Sequence, residues 1–341
     1  MKTVNLLLMV VVAVMAEVAV AAQSRGAGTT TSSIVGPLND REDPAYSPVE
    51  AEVYYRTGGK LLELHRYHEA IQFFLAAIKL RPDSALLYND LGYSYFLAGD
   101  YNQAVTAFHK AIKLKPDYAV AHNNLGTAYL RLTDYENAYS SLKQALFFKP
   151  DYASARYNLG VAYYTAGRTD DAIASFRQAL QLDPSHAETL NNLGCAYIDL
   201  GRFTDAIALL RQSLMVNPKF QAAARNLGNA CLKAGQLRDA VQAFQKALEL
   251  NPSDAEVHNN LGVAYYNLRI FNRAVQAYKR AIELASDYAE AHYNLALAYL
   301  AQNDRHQALR EYALLKNLNP QQTEMLYQAL YTGQVVKVGH K

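Results

Sequence analysis

The sequence predicts an all-α solenoid: eight tandem 34-residue helix-turn-helix units, closed by one further helix. Three observations carry that expectation. From Ala51 the chain divides into 34-residue blocks without insertion or deletion, starting at Ala51, Ala85, Ala119, Ala153, Ala187, Gln221, Ala255 and Ala289. The eighth position is Gly58, Gly92, Gly126, Gly160, Gly194, Gly228 and Gly262, then Ala296, and the twentieth is alanine in every block, from Ala70 to Ala308. The twenty-fourth is always large and apolar or aromatic: Phe74, Phe108, Leu142, Phe176, Leu210, Phe244, Tyr278 and Tyr312.

Each block holds two helix-length segments with apolar residues at a 3.6 period, joined by turns such as Ala98-Gly99-Asp100 and Ala234-Gly235-Gln236. Small residues at the eighth and twentieth positions let two antiparallel helices approach, and the large twenty-fourth side chain fills the gap. Pro82, Pro116, Pro150, Pro184, Pro218, Pro252 and Pro320 stop the second helices, and the Asp or Ser that often follows is suited to cap the next helix. Ser185 with Glu188 and Ser253 with Glu256 fit a capping box; in the seventh block, where Ser286 replaces Pro, Asp287 with Glu290 is expected to cap instead. The predicted units span 51–84, 85–118, 119–152, 153–186, 187–220, 221–254, 255–288 and 289–322. A pair of helices cannot bury its apolar face alone, so a terminal cap is needed, and residues 323–334 supply apolar spacing for one; 335–341 read as a tail.

The chain opens on MKTVNLLLMVVVAVMAEVAVAAQ, with Lys2 ahead of an apolar run at 6–16 and small residues at Ala19, Ala21 and Ala22. That layout predicts a signal peptide over 1–22 and hence an exported protein, periplasmic or secreted. An uncleaved anchor is the alternative, but the run is short of the ~20 residues that span a bilayer, and Glu17 would lie near its middle. No stable membrane insertion is therefore expected after cleavage. Residues 23–50, rich in Ser, Thr, Gly and Pro, read as a disordered leader.

Among 341 residues, 33 Lys and Arg against 31 Asp and Glu leave a net charge of +2, so no basic excess marks nucleic acid as a partner. The two cysteines, Cys195 and Cys231, are read as packed thiols. His65 and His68 lack a third ligand at metal spacing, and the Gly58-Gly59-Lys60 triplet lacks the upstream glycine of a phosphate loop. No metal, cofactor or catalytic motif emerges, and no enzyme is expected.

The 34-residue period with Gly at the eighth position, Ala at the twentieth and an aromatic at the twenty-fourth resembles the tetratricopeptide repeat (TPR) family, over about four-fifths of the chain. The resemblance implies a right-handed superhelix whose first helices line a concave groove. Position six of the block carries Asp90, Asn124, Asn158, Asn192, Asn226, Asn260 and Asn294, with Arg56 in the first block. This is similar to the asparagine ladder in the repeat array of O-linked N-acetylglucosamine transferases, here without a catalytic domain. Asn offers both donors and an acceptor, so one per repeat is suited to pair with the backbone of an extended peptide; Asp90 continues the column only as an acceptor. The other reading is that these amides bond to the neighbouring repeat and hold the stack in register. Positions five and twelve add Tyr157, Tyr164, Tyr266 and Tyr293, with Phe96 beside them, and position two adds Glu188, Glu256 and Glu290. The family's two-carboxylate clamp would use Arg225, Asn229 and Asn260, but Glu290 and Asn294 stand where its further basic residues belong. The expected function is a scaffold holding an extended segment of a partner protein; the alternative is an assembly or tethering subunit that uses its convex face or ends, and an accessory chain of a glycosyltransferase system is the third reading.

Overall fold

The computed structural model describes residues 48–332, which form seventeen helices joined by short turns, with no strand among the described residues. The signal-peptide reading of 1–22, the leader up to residue 47 and the tail 335–341 lie outside the described residues.

Two compact units divide the chain after Pro184. The first contains α1 (Pro48–Glu63), α2 (Tyr67–Leu80), α3 (Ala85–Ala98), α4 (Tyr101–Leu114), α5 (Ala119–Arg131), α6 (Tyr135–Phe148), α7 (Ala153–Thr165) and α8 (Thr169–Leu182). The second contains α9 (Ala187–Asp199), α10 (Phe203–Val216), α11 (Gln221–Lys233), α12 (Leu237–Leu250), α13 (Ala255–Asn267), α14 (Phe271–Leu284), α15 (Ala289–Ala301), α16 (Arg305–Leu318) and α17 (Pro320–Thr332). Each unit is a stack of helix pairs, the arrangement of a TPR α-solenoid. Within the first unit, α3, α5 and α7 touch in sequence; within the second, α9, α11, α13, α15 and α17 do. The first helices of successive repeats thus form one continuous face in each unit.

Steric fit at the crossing explains the sequence pattern. An alanine Cβ at Gly228 would stand 2.4 Å from the Phe244 ring, at Gly160 2.5 Å from Phe176, and at Gly92 2.7 Å from Phe108. Those rings are fully buried, as are Ala104, Ala172 and Ala240 at the twentieth position. In seven of the eight pairs a large side chain, Phe, Leu or Tyr, is thus pressed onto the bare backbone of a glycine.

Position fifteen closes every first helix with a left-handed residue. Gly99, Gly167, Gly201 and Gly235 have φ of 73–88°, and His65, Thr133, Arg269 and Asn303 adopt φ of 58–63° at the same place. The Gly99 N–H donates to the Phe96 carbonyl and the Asp100 N–H to that of Tyr95, the paired bonds of a Schellman motif.

The capping expectations need correction by one residue. The helices start at Ala187 and Ala255, so the caps are His186, which accepts from the Thr189 N–H, and Asp254, which accepts from the Val257 N–H; Ser185 and Ser253 are one place too early. At α15 the cap position is Tyr288, with no side-chain cap, so Asp287 does not serve as expected. Position four does part of this work: His122, His258 and His292 each bond through Nε2 to the carbonyl six residues earlier, at Pro116, Pro252 and Ser286. The closing helix begins at Pro320, three residues ahead of its predicted start, because proline is suited to the first helical turn.

Candidate peptide-binding face

The position-six side chains lie along the first helices, and the amides of Asn124, Asn158, Asn226, Asn260 and Asn294 each reach back one repeat. In the first unit, Asn158 Nδ2 donates to Asn123 Oδ1 (3.0 Å) and Thr127 Oγ1 (3.3 Å). Asn123 donates to Asn124 Oδ1 at 3.3 Å, Asn124 to Asn89 Oδ1 at 3.1 Å, and Asn89 to Asp90 Oδ1 at 3.1 Å. This relay runs with one polarity across three repeats and ends on Asp90, whose carboxylate needs no donor of its own. Arg56 stands outside it, exposed and paired with Glu52.

The second unit repeats the pattern with one detour. Asn226 donates to Asn191 Oδ1 (2.9 Å) and Cys195 Sγ (3.1 Å), and Asn191 to Asn192 Oδ1 (3.0 Å). Asn294 donates to Asn259 Oδ1 (3.0 Å), and Asn259 to Asn260 Oδ1 (3.3 Å). Position five of the preceding repeat is Arg225, which has no acceptor, so Asn260 turns to Asn229 Oδ1 at 3.1 Å.

Burial follows from this wiring. Asp90, Asn158, Asn192, Asn260 and Asn294 are buried, while Asn124 and Asn226 are half-buried. Tyr157 is buried beneath the face with its ring 6.0 Å from that of Phe176, and Tyr293 is 6% exposed. Tyr164 and Tyr266 are half-buried at the ends of their helices, and Phe96 is core. Sequence reasoning missed the acceptors Asn89, Asn123, Asn191 and Asn259 at position five. The Asn-Asn doublets were the available signal: two adjacent amides on one helix suit a bond to each other and one to the next repeat.

The face is acidic in the second unit. Glu188, Glu256 and Glu290 occupy position two, half-buried, and Arg225 Nη1 lies 3.8 Å from Glu256. The thiols are free and buried, and burial pushes Cys195 up to about 12 and Cys231 up to about 11, so neither is a thiolate at neutral pH. No cluster of three metal-ligating side chains occurs among the described residues. No described helix is long and apolar enough to cross a membrane.

The family model for the cilia and flagella-associated protein 70 C-terminal domain matches residues 11–260, and a tetratricopeptide repeat model matches 232–289 and 259–323. No curated protein matches in sequence. Among solved structures, the chain is similar to one from the APC/C hetero-tetramer Cut9-Hcn1 with a TM-score of 0.56 and 19% identity, covering 84% of this chain and 57% of that one. It thus spans little more than half the length of that relative. PilW, a type IV pilus biogenesis factor, matches with a TM-score of 0.55 and 26% identity, over 61% of this chain and 96% of that one. Pseudomonas aeruginosa PilF matches at 0.54 and 26%, over 62% and 96% respectively. These matches support tetratricopeptide repeats and do not show the expected similarity to the O-linked N-acetylglucosamine transferase array.

Proposed function

Because the chain belongs to the family of the cilia and flagella-associated protein 70 C-terminal domain, built of tetratricopeptide repeats, we propose that it is a non-catalytic scaffold holding an extended partner segment along its first-helix faces. The observation that carries this reading is the column of amides at one position of successive first helices, bordered by half-buried tyrosines. Spacing per repeat suits an extended chain, and amides read a peptide backbone with little regard to its sequence.

In this reading the column has two roles. Asn158, Asn260 and Asn294 hold neighbouring repeats in register, and the outer edge of the column is presented to the ligand. Asn124 uses one Nδ2 hydrogen and one Oδ1 lone pair in the relay, which leaves an N–H and a lone pair at a half-buried position for a peptide unit. Asn226, Tyr164 and Tyr266 extend the contact, with Tyr157 and Tyr293 supporting it from below. The N-terminal pattern supports export, tested by sequencing the mature N-terminus after expression with its leader.

A second reading, assembly through the outer helices, is favoured by Phe147 on α6 and Met215 on α10, each 74% exposed. Capture from extract separates the two. Ala at Asn124, Tyr164, Asn226 and Tyr266 is expected to abolish recovery of bound proteins while Ser at Phe147 and Met215 leaves it intact; the reverse result sinks the first-helix reading.

A further inference from the structure

The turns that join successive repeats in the first unit carry charge that the fold does not require. Position thirty-one of the block is Arg81, Lys115 and Lys149 there, whereas in the later blocks it is Asp183, Asn217, Asn251, Ala285 and Asn319. A helix C-terminus favours a cation, but five second helices end without one at that place, so the dipole alone does not call for the lysines. Position twenty-nine is exposed in every block and polar in six of them, with Met215 in the fifth. In the third it is Phe147, 74% exposed, with Phe148 beside it at 38%. A ring so exposed gains little from folding, which leaves its presence to be explained by something outside the chain.

These groups are contiguous. The Phe147 ring stands edge-on to Phe148 at 5.2 Å, and Phe148 stacks on His122 at 5.4 Å. His122 Nε2 donates to the Pro116 carbonyl at 2.9 Å, which ties the aromatic stack to the turn that carries Lys115. Arg156 holds the next turn in the same way, through Nη2 to the Pro150 carbonyl at 3.2 Å. The Lys115 ammonium lies 5.3 Å from the centre of the Tyr118 ring, and that of Lys149 lies 4.9 Å from Tyr152. Lys143 is one helical turn from Phe147 on the same side of α6, and Lys113 takes the place of Phe147 in the preceding repeat. Four exposed lysines therefore accompany the phenylalanine pair, against two aspartates of the same turns, Asp117 and Asp151.

We propose that this edge of the first unit docks on an anionic lipid surface, with Phe147 and Phe148 entering the boundary between headgroups and acyl chains while Lys115 and Lys149 pair with lipid phosphates. The charge is complementary to such a surface, and lysines beside it add to binding one by one. Two rings projecting from a helix end suit a medium that yields to them, whereas a partner protein needs a pocket shaped to receive them. Tyr118 and Tyr152, which support the two ammonium groups, are of the residue type favoured at headgroup level. The contact is peripheral, since no described helix is long and apolar enough to cross a membrane. It leaves the position-six column uninvolved, so one repeat array can hold a partner segment and rest on a lipid surface together.

The chain has no tryptophan, so Phe147→Trp places a single environment-sensitive indole in the patch. The full-length variant is titrated with vesicles of phosphatidylglycerol and phosphatidylcholine in equal parts, and with phosphatidylcholine alone. The mixed vesicles are expected to shift the indole emission to the blue, and to quench it when their acyl chains are brominated; phosphatidylcholine alone is expected to do neither. A lysine beside an anionic surface is worth about fivefold in partitioning, so adding Lys115→Gln and Lys149→Gln should weaken the response about 25-fold, and arginine at both places should restore it. The same reporter at Leu64, 63% exposed in the turn between α1 and α2, detects adsorption through any other part of the chain and is expected to stay unshifted. An equal response to both vesicle types, a response that survives loss of both lysines, or an equal shift for Leu64→Trp overturns the proposal. So does an unshifted Phe147→Trp emission, and a blue shift on adding polyglutamate would then assign the patch to an acidic partner protein.

Discussion

Alanine at Gly228 isolates the steric lock of the fold. A Cβ there would stand 2.4 Å from Cδ1 and Cε1 of Phe244, against an ordinary carbon contact of ~3.5–4.0 Å, so the ring must retreat by about 1 Å. Phe244 is fully buried and has nowhere to go without displacing its neighbours. Overpacking of this kind costs ~1–3 kcal/mol, and replacing a helical glycine with alanine returns ~0.5–1 kcal/mol, for a net loss of up to about 2.5 kcal/mol, with a central value of about 1 kcal/mol. The same substitution at Gly59 in α1 meets nothing within 4 Å and should keep only the gain. Urea unfolding followed by far-ultraviolet circular dichroism is therefore expected to shift in opposite directions for the two variants. The double variant Gly228→Ala, Phe244→Leu should recover part of the loss, because Leu210 leaves more room at Gly194, where the closest approach is 2.9 Å. Repeat eight already pairs Ala296 with Tyr312, whose ring is only half-buried. A Gly228→Ala variant as stable as the parent would refute the argument that ring-on-backbone contact fixes the crossing.

Further outcomes follow from other features. Thr133→Gly should stabilise the chain by about 1 kcal/mol in the same assay, since a β-branched residue is held at φ 60° where glycine is unstrained. Asn191→Ala, which removes both an acceptor for Asn226 and a donor to Asn192, should cost ~1–3 kcal/mol in urea, more than a surface substitution. His292 donates to Glu311 at 2.6 Å and to the Ser286 carbonyl at 3.1 Å. The Glu311 hydrogen bond raises its pKa above 6.5, against the effect of burial. Its contribution is thus complete below the unfolded value and lost as pH rises through the folded one. The stability gap between parent and Glu311→Gln should accordingly be wide in mild acid and narrow at alkaline pH, measured as urea midpoints across that range.

Much of the fold was legible because it is steric and repeated. A small residue facing an alanine and a large apolar or aromatic side chain, in every block, admits few packings, and the period set the unit boundaries. The caps were displaced by one residue because sequence favours Ser185 and Ser253 as capping types, whereas the helices begin late enough for His186 and Asp254 to serve. The left-handed residue at position fifteen was hidden because only Gly99, Gly167, Gly201 and Gly235 announce it, while His65, Thr133, Arg269 and Asn303 adopt the same φ under the pull of the Schellman bonds. At the candidate site, the column was visible but its wiring was not. Which amide faces its neighbour depends on the offset between first helices, and that offset arises from packing between repeats.

The most direct measurement places a photoreactive phenylalanine analogue in turn at Tyr164, Tyr266, Phe147 and Met215, then irradiates each variant in extract. Crosslinks to one partner from Tyr164 and Tyr266 alone are the predicted result, since both lie at the edge of the first-helix faces; crosslinks from Phe147 and Met215 alone would contradict it and move the binding surface to the outer helices.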